Sequence, residues 1–293
     1  MLFLRIPSKY LRLEITEADN IVSHKYQKQL ITHFAMGVFL AQQLIVGNLC
    51  DRHMKQLSTF VLRRIYAKKP IVLYNQAMSL IAYGECEAAM VYLNQTIIMD
   101  HLPSRALKAW MLLKGREGVA KDENEAFELA EKGARLGCHH CQGVMAMCYS
   151  YSYRRDAVLS LKLARKSSEK GSKYGQFVLG YLYDFGEGCA PQDYAQAYRL
   201  YQLAVAQNFD EAQCSLGHLY RLGDGVAQNY VEALRWFQLA AAQGHPFALF
   251  SVAVCHEDGH GVRQNKTEAI CWYKRALAAG DPTAPYTLQR LCA

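Results

Sequence analysis

The sequence predicts an all-α fold, an α-solenoid of short helix–turn–helix repeats, on three observations. A glycine pair recurs as Gly186-Glu187-Gly188, Gly223-Asp224-Gly225 and Gly259-His260-Gly261, with 36 residues between the second and the third. Apolar residues between the pairs fall at helical spacing. Small residues recur where neighbouring backbones would have to approach closely. A helix pair of this size cannot bury its apolar face alone, so tandem copies must stack on one another.

Each unit reads as two helices. In the first, Leu179-Gly180-Tyr181-Leu182-Tyr183 recurs as Leu216-Gly217-His218-Leu219-Tyr220. Gly175, Leu179, Leu182 and Tyr183 stand at i, i+4, i+7 and i+8, which is one face of a helix. The glycine pair then ends that helix by supplying positive φ for a tight turn. The second helix runs Tyr194 to Tyr201, recurs as Tyr230 to Phe237 and again as Lys266 to Tyr273, a step of 36 residues each time. Ala233, Trp236 and Phe237 share one face of it, and Ala241 to Gly244 reads as a glycine cap, with Pro246 as a proline stop.

Two weaker copies come earlier. Gly118-Val119, Glu125-Ala126 and Ala134 to Gly137 fit the same frame, as does Ala146 to Gly171, whose turn Ser150 to Tyr153 lacks glycine. A more degenerate copy spans 71–102. The expected organisation is therefore an N-terminal helical cap or extension over 1–70, then about six repeats over 71–293. The last stretch, Thr283 to Ala293, reads as a lone first helix that caps the stack.

The order Leu-Gly-x-Leu-Tyr, Gly-x-Gly, Ala-x-x-Trp-Tyr/Phe, Ala-Ala-x-Gly resembles the Sel-like repeat (SLR), a relative of the tetratricopeptide repeat. Its cleanest copies cover Lys173 to Asp281. The resemblance implies a right-handed superhelix of antiparallel helix pairs with a concave inner surface. It also implies an adaptor or assembly role, since members generally bind other proteins, and it brings no catalytic motif. Some members are exported and cross-linked by a regular cysteine pair in each repeat, and this sequence lacks that regular pair.

Charge is unevenly placed. Of the net +7, residues 1–70 carry eleven Lys/Arg against four Asp/Glu, while the remainder holds 22 of each sign. Lys25, Lys28, Arg63, Arg64, Lys68 and Lys69 form a basic N-terminal patch that could meet nucleic acid or an anionic membrane surface. The ten cysteines do not follow the repeat. Nor does Met1 to Arg5 offer the apolar run of a secretory signal. Reduced cysteines in a cytoplasmic protein are expected. Leu30 to Leu49 lacks charged residues, but Thr32, His33, Gln42, Gln43 and Asn48 favour a buried helix over a membrane span.

Chemistry-bearing motifs are few. Cys138-His139-His140-Cys141 has a spacing zinc accepts, with Cys148 nearby, yet the repeat frame puts Cys141 and Cys148 at the packing positions of Ala248 and Cys255. His256, Glu257, Asp258 and His260 could together hold a metal, but His256 stands at the core position of Tyr183 and Tyr220, and the others lie in a turn. The glycine pairs follow no strand and precede no Lys-Ser/Thr, so they are not phosphate loops. No enzyme activity and no cofactor are expected. Binding is expected along a first-helix stripe of mixed aromatic and charged residues: Phe177, Tyr181 and Asp184, then Cys214, His218 and Arg221, then Phe250, Val254 and Glu257. The expected partner is a helix or extended segment of another protein, held by an adaptor. An inhibitor or immunity protein that sequesters a toxin would need the same surface.

Overall fold

The structure, a computed structural model, describes residues 69–115, 118–151 and 154–292. The chain divides into two units, Met1–Lys69 and Pro70–Ala293; all but the last two residues of the expected span 1–70 lie outside the described residues, and with them the basic residues Lys25, Lys28, Arg63, Arg64 and Lys68 and the stretch Leu30 to Leu49. Lys69 is the first residue described and is exposed.

Thirteen α-helices and no strand occur among the described residues. They are α1 (69–82), α2 (Cys86–Ile98), α3 (Leu102–Lys114), α4 (Glu123–Arg135), α5 (His139–Tyr151), α6 (Ala157–Glu169), α7 (Lys173–Phe185), α8 (Tyr194–Val205), α9 (Asp210–Leu222), α10 (Tyr230–Ala242), α11 (Pro246–Asp258), α12 (Lys266–Ala278) and α13 (Ala284–Cys292). From α3 onward the odd-numbered helices are the first (A) helices of the repeats and the even-numbered ones the second (B). Each packs on its neighbours in sequence, which makes the α-solenoid the recurrence predicts.

The repeated residues explain the packing. Tyr201, Phe237 and Tyr273 on the B helices are at most 1% exposed. Burying a ring of that size stabilises by about 2–3 kcal/mol. Gly180 and Gly217 on the facing A helices make room for it: a methyl group on Gly217 would stand 2.5 Å from the Phe237 ring. The B helices start at Asp122, Asp156, Asp193, Asn229 and Asn265, each of whose side chains accepts a backbone N–H of the first turn.

The glycine pair does two jobs. Its first member caps the A helix in the left-handed conformation, as Gly186, Gly223 and Gly259 do. Its second member lies against the start of the preceding B helix: a methyl group on Gly188 would stand 2.2 Å from the Ala157 carbonyl oxygen, and one on Gly261 2.3 Å from that of Tyr230. Only a residue without Cβ lets successive repeats dock in this register. Gly118 lies against the Glu87 side chain at the start of α2, 2.8 Å from where a methyl group would stand, which puts α2 in a B position ahead of α3. Pro246 departs from the sequence expectation. It is the first residue of α11 rather than a stop, because its missing N–H costs nothing in the first turn.

Candidate functional site

The A helices turn toward one another. Trp110 of α3 lies 5.7 Å from Phe209, at the start of α9, and Lys114 Nζ lies 3.0 Å from Glu211 Oε2, three repeats further along the chain. Contacts between repeats so far apart require the stack to curl with its A helices inside. Trp110, Tyr174, Phe177 and Phe209, each at most 5% exposed, fill the space between them. Phe177 of the expected stripe is thus part of an internal aromatic plug, with its ring on Tyr201 and Phe209. Cys214 is likewise buried, and burial pushes its thiol well up.

Beyond the plug the inner face opens. Tyr181 is half-buried between Tyr151 and the exposed ring of Phe185. Lys114 sits over the Tyr151 ring at 4.9 Å and pairs with Glu211, whose carboxylate lies 3.5 Å from His245 Nε2. His245 caps α11 through Nδ1, which accepts the Ala248 N–H at 3.1 Å. His218 follows, stacked on Phe247 at 5.2 Å and edge-on to Phe237 at 4.9 Å. Phe247 is 46% exposed and runs parallel to Phe250, which is half-buried. The result is a continuous run of aromatic and charged side chains from Phe185 to Phe250.

Electrostatics sort these residues. Burial, helped by the Arg221 and His245 charges, lowers His218 to about 4, and its Nε2 is buried without a hydrogen-bond partner. At neutral pH it is therefore an uncharged ring. Asp184 accepts the Tyr201 hydroxyl at 3.0 Å, and Glu257 accepts that of Tyr273 at 2.6 Å and an Arg290 N–H at 2.6 Å. Where the B helix carries Phe237, with no hydroxyl, the equivalent A-helix residue is Arg221. Asp184 and Glu257 thus use acceptor capacity on the tyrosines of their own repeats, while Arg221 and Val254 are half-buried.

The cysteines of the Cys138–Cys141 cluster lie within the packing, while His256 and His260 are half-buried at their turn. Cys141 is fully buried against Gly133, and Cys138 accepts the Cys141 N–H at 3.5 Å. The Cys141 side chain, then its amide and that of His140, draw the Cys138 thiol down, while burial opposes them. His140 bonds Ser172 and is lowered to about 4 by burial and by the His139 and Lys173 charges. His260 stacks on Tyr230 at 4.2 Å. No group of three or more His, Cys, Asp or Glu is placed to hold a metal among the described residues. No described helix is long and apolar enough to cross a membrane.

Sequence reasoning passed over Lys114, Tyr151, Phe185, Glu211, His245 and Phe247. All lie at helix ends, where a repeat frame tuned to helix interiors carries no signal.

A family model described as the Sel1 repeat matches residues 106–138, 140–172, 173–209, 210–245 and 246–281. Among solved structures, a Sel1 repeat protein from Oxalobacter formigenes is 24% identical, with a TM-score of 0.52 over 75% of this chain and 88% of that one. A protective antigen of uropathogenic Escherichia coli with an SLR fold is 22% identical at TM-score 0.46; the match covers 78% of this chain but spans only half, 50%, of the antigen. An immunity protein from Pseudomonas aeruginosa is 20% identical at TM-score 0.47, over 73% of this chain and 83% of that one. A search of curated proteins gave no match.

Proposed function

Since the chain belongs to the Sel1 repeat family, whose members generally serve as protein-interaction scaffolds, we propose that it holds a helix or extended segment of a partner protein on the inner face formed by its A helices. One observation carries this: the open part of that face presents Tyr151, Tyr181, Phe185, Phe247 and Phe250 around the Lys114–Glu211 ion pair and the neighbouring His245 ring. Aromatic anchors beside desolvated charge are the residue types that dominate interface energies. Phe185 and Phe247 leave 59% and 46% of their surface exposed, apolar area that a partner can cover.

The residues with chemical potential are spent elsewhere. The buried thiols are packed, His218 is uncharged, and Asp184 and Glu257 hold tyrosine hydroxyls. A binding role needs only shape and anchors, which this face has.

The test is an affinity pull-down with Tyr181, His218 and Arg221 changed together to alanine, and with Phe185 and Phe247 changed to serine as a milder, more exposed pair. Loss of the same partner from both supports the inner face; retention by both removes it. If the captured partner is an enzyme or toxin that loses activity on binding, the scaffold acts as an inhibitor.

A further inference from the structure

The repeats are neutral in sum but not in place. Between Arg154 and Lys173 there are seven Lys/Arg (154, 155, 162, 165, 166, 170 and 173) against Asp156 and Glu169, a local excess of five positive charges. Three of the seven are engaged. Arg155 pairs with Glu187 at 2.6 Å, Arg154 lies over the Phe127 ring, and Lys173 lies over Phe209. Lys162, Arg165 and Lys166 on α6, and Lys170 just after it, are exposed and have no ion-pair partner among the described residues. The first three stand at i, i+3 and i+4, on one face of the helix.

That face is more than a row of cations. With Val158, which is 61% exposed, and Leu161 it lines an open depression of about 600 Å³ that is bounded by the Gly188-Cys189 turn and holds one carboxylate, Glu169. Because the A helices face inward, α6 lies on the outer side, away from the aromatic run described above. The excess is one helix wide. The outer helix α4 carries Glu123, Glu125, Glu128 and Glu131 against Lys132 and Arg135, and α8 carries Arg199 alone.

We propose that this outer face of α6 is a second docking surface, for an acidic protein segment that places carboxylates about one helical turn apart beside an aliphatic side chain. Three charges within two turns match two or three carboxylates on a helix or strand, and Val158 and Leu161 give the aliphatic group a place to sit. Width selects against polyanions. A nucleic-acid duplex or an anionic bilayer laid on α6 would also cover the carboxylates of α4, and no aromatic ring lines the depression to stack a base.

The experiment uses the full chain and a fluorescein-labelled synthetic peptide of Glu and Leu residues at helical spacing, followed by fluorescence anisotropy at low salt. Reversing Lys162, Arg165 and Lys166 to Glu should weaken binding by about tenfold or more, and the neutral triple change to Gln by less. Reversing Arg235, Arg263 and Lys274 should leave it within about twofold, which separates this patch from net charge. A peptide with Gln for Glu should bind about tenfold more weakly than the Glu peptide. The neutral triple keeps the test readable if the reversed chain does not fold by circular dichroism. Equal peptide binding by the wild type and the neutral or reversed triple overturns the proposal. So does an equal loss in the Arg235, Arg263 and Lys274 control. It is also overturned if the changes at α6 abolish binding of duplex DNA or phosphatidylserine vesicles while leaving the peptide untouched.

Discussion

Tyr201 donates its hydroxyl hydrogen to Asp184 at 3.0 Å, tying the end of one A helix to the middle of its B helix. Tyr273 repeats the bond to Glu257, and the intervening repeat, with Phe237, has Arg221 where the acceptor would be. The pairing of hydroxyl with carboxylate, and of its absence with a cation, shows that these positions answer to packing within the repeat. Changing Tyr201 to Phe removes the donor and leaves a half-buried carboxylate short of a partner. The expected cost is about 1–2 kcal/mol, read as a lower midpoint in urea. An unchanged midpoint would mean that water replaces the hydroxyl freely.

The same carboxylate predicts a pH dependence. Burial, with a smaller push from Asp224, raises Asp184 to about 6 against the pull of the Tyr201 hydrogen bond. An unfolded aspartate titrates near about 3.9. Between these values the folded chain binds the extra proton, so this group's contribution to stability falls as pH rises from about 4 to about 6 and is flat above. Asp184→Asn keeps an acceptor for Tyr201 and removes the titration. Its melting temperature should gain on the wild type across that window and hold the gain at higher pH. Parallel profiles would show that Asp184 ionises as it does in the unfolded chain.

Two glycines with the same backbone conformation should behave differently. Gly188 and Gly244 both have positive φ, but a methyl group at Gly188 meets the Ala157 carbonyl oxygen at 2.2 Å, while one at Gly244 meets nothing within 4 Å. Gly244→Ala should cost about 1–2 kcal/mol, the price of the left-handed conformation alone. Gly188→Ala adds a steric displacement of the next repeat, for a total of about 3 kcal/mol or more. Equal shifts in melting temperature would deny the docking role of the second turn glycine.

The curl of the stack rests on contacts such as Lys114 with Glu211. Their side chains are 26% and 12% exposed, so the pair is partly shielded from solvent. A double-mutant cycle with Lys114→Met and Glu211→Gln should give a coupling of about 1 kcal/mol that persists in moderate salt. A coupling near zero would mean that the aromatic plug alone sets the curvature.

Thiol accessibility separates the cysteines by position. Cys189 and Cys271 are exposed, while Cys86, Cys138, Cys141, Cys148, Cys214 and Cys255 are buried. Brief alkylation of the native protein, mapped by mass spectrometry, should label the first two and spare the other six until denaturant is added. Rapid labelling of Cys138 or Cys141 in native conditions would contradict their place in the core.

The repeat was legible in the sequence because its demands are local. Gly217 must be small where Phe237 packs, Gly188 and Gly225 must lack Cβ where a B helix begins, and both needs recur at each step. The inner face was legible only in part. Phe177 looked like a groove residue, since nothing within its own repeat shows that Phe209 of the next repeat, itself packed on Trp110, closes over it. Asp184 and Glu257 looked free for the same kind of reason: their tyrosines lie on the partner helix at 17 and 16 residues' distance. Lys114 and Glu211, 97 residues apart, meet only because the stack curls. Pro246 stood at the right place with the opposite role, because a proline marks a helix start as readily as a stop.

The most direct measurement is site-specific photo-crosslinking in cells. A benzoylphenylalanine at Phe247 or Phe185, on the inner face, is compared with one at Leu239, which is 42% exposed on the outer helix α10. The account predicts one and the same partner cross-linked from both inner positions, little or none from Leu239, and loss of the inner cross-links when Tyr181, His218 and Arg221 are changed. Equal capture from Leu239, or inner cross-links that survive the triple change, would contradict it.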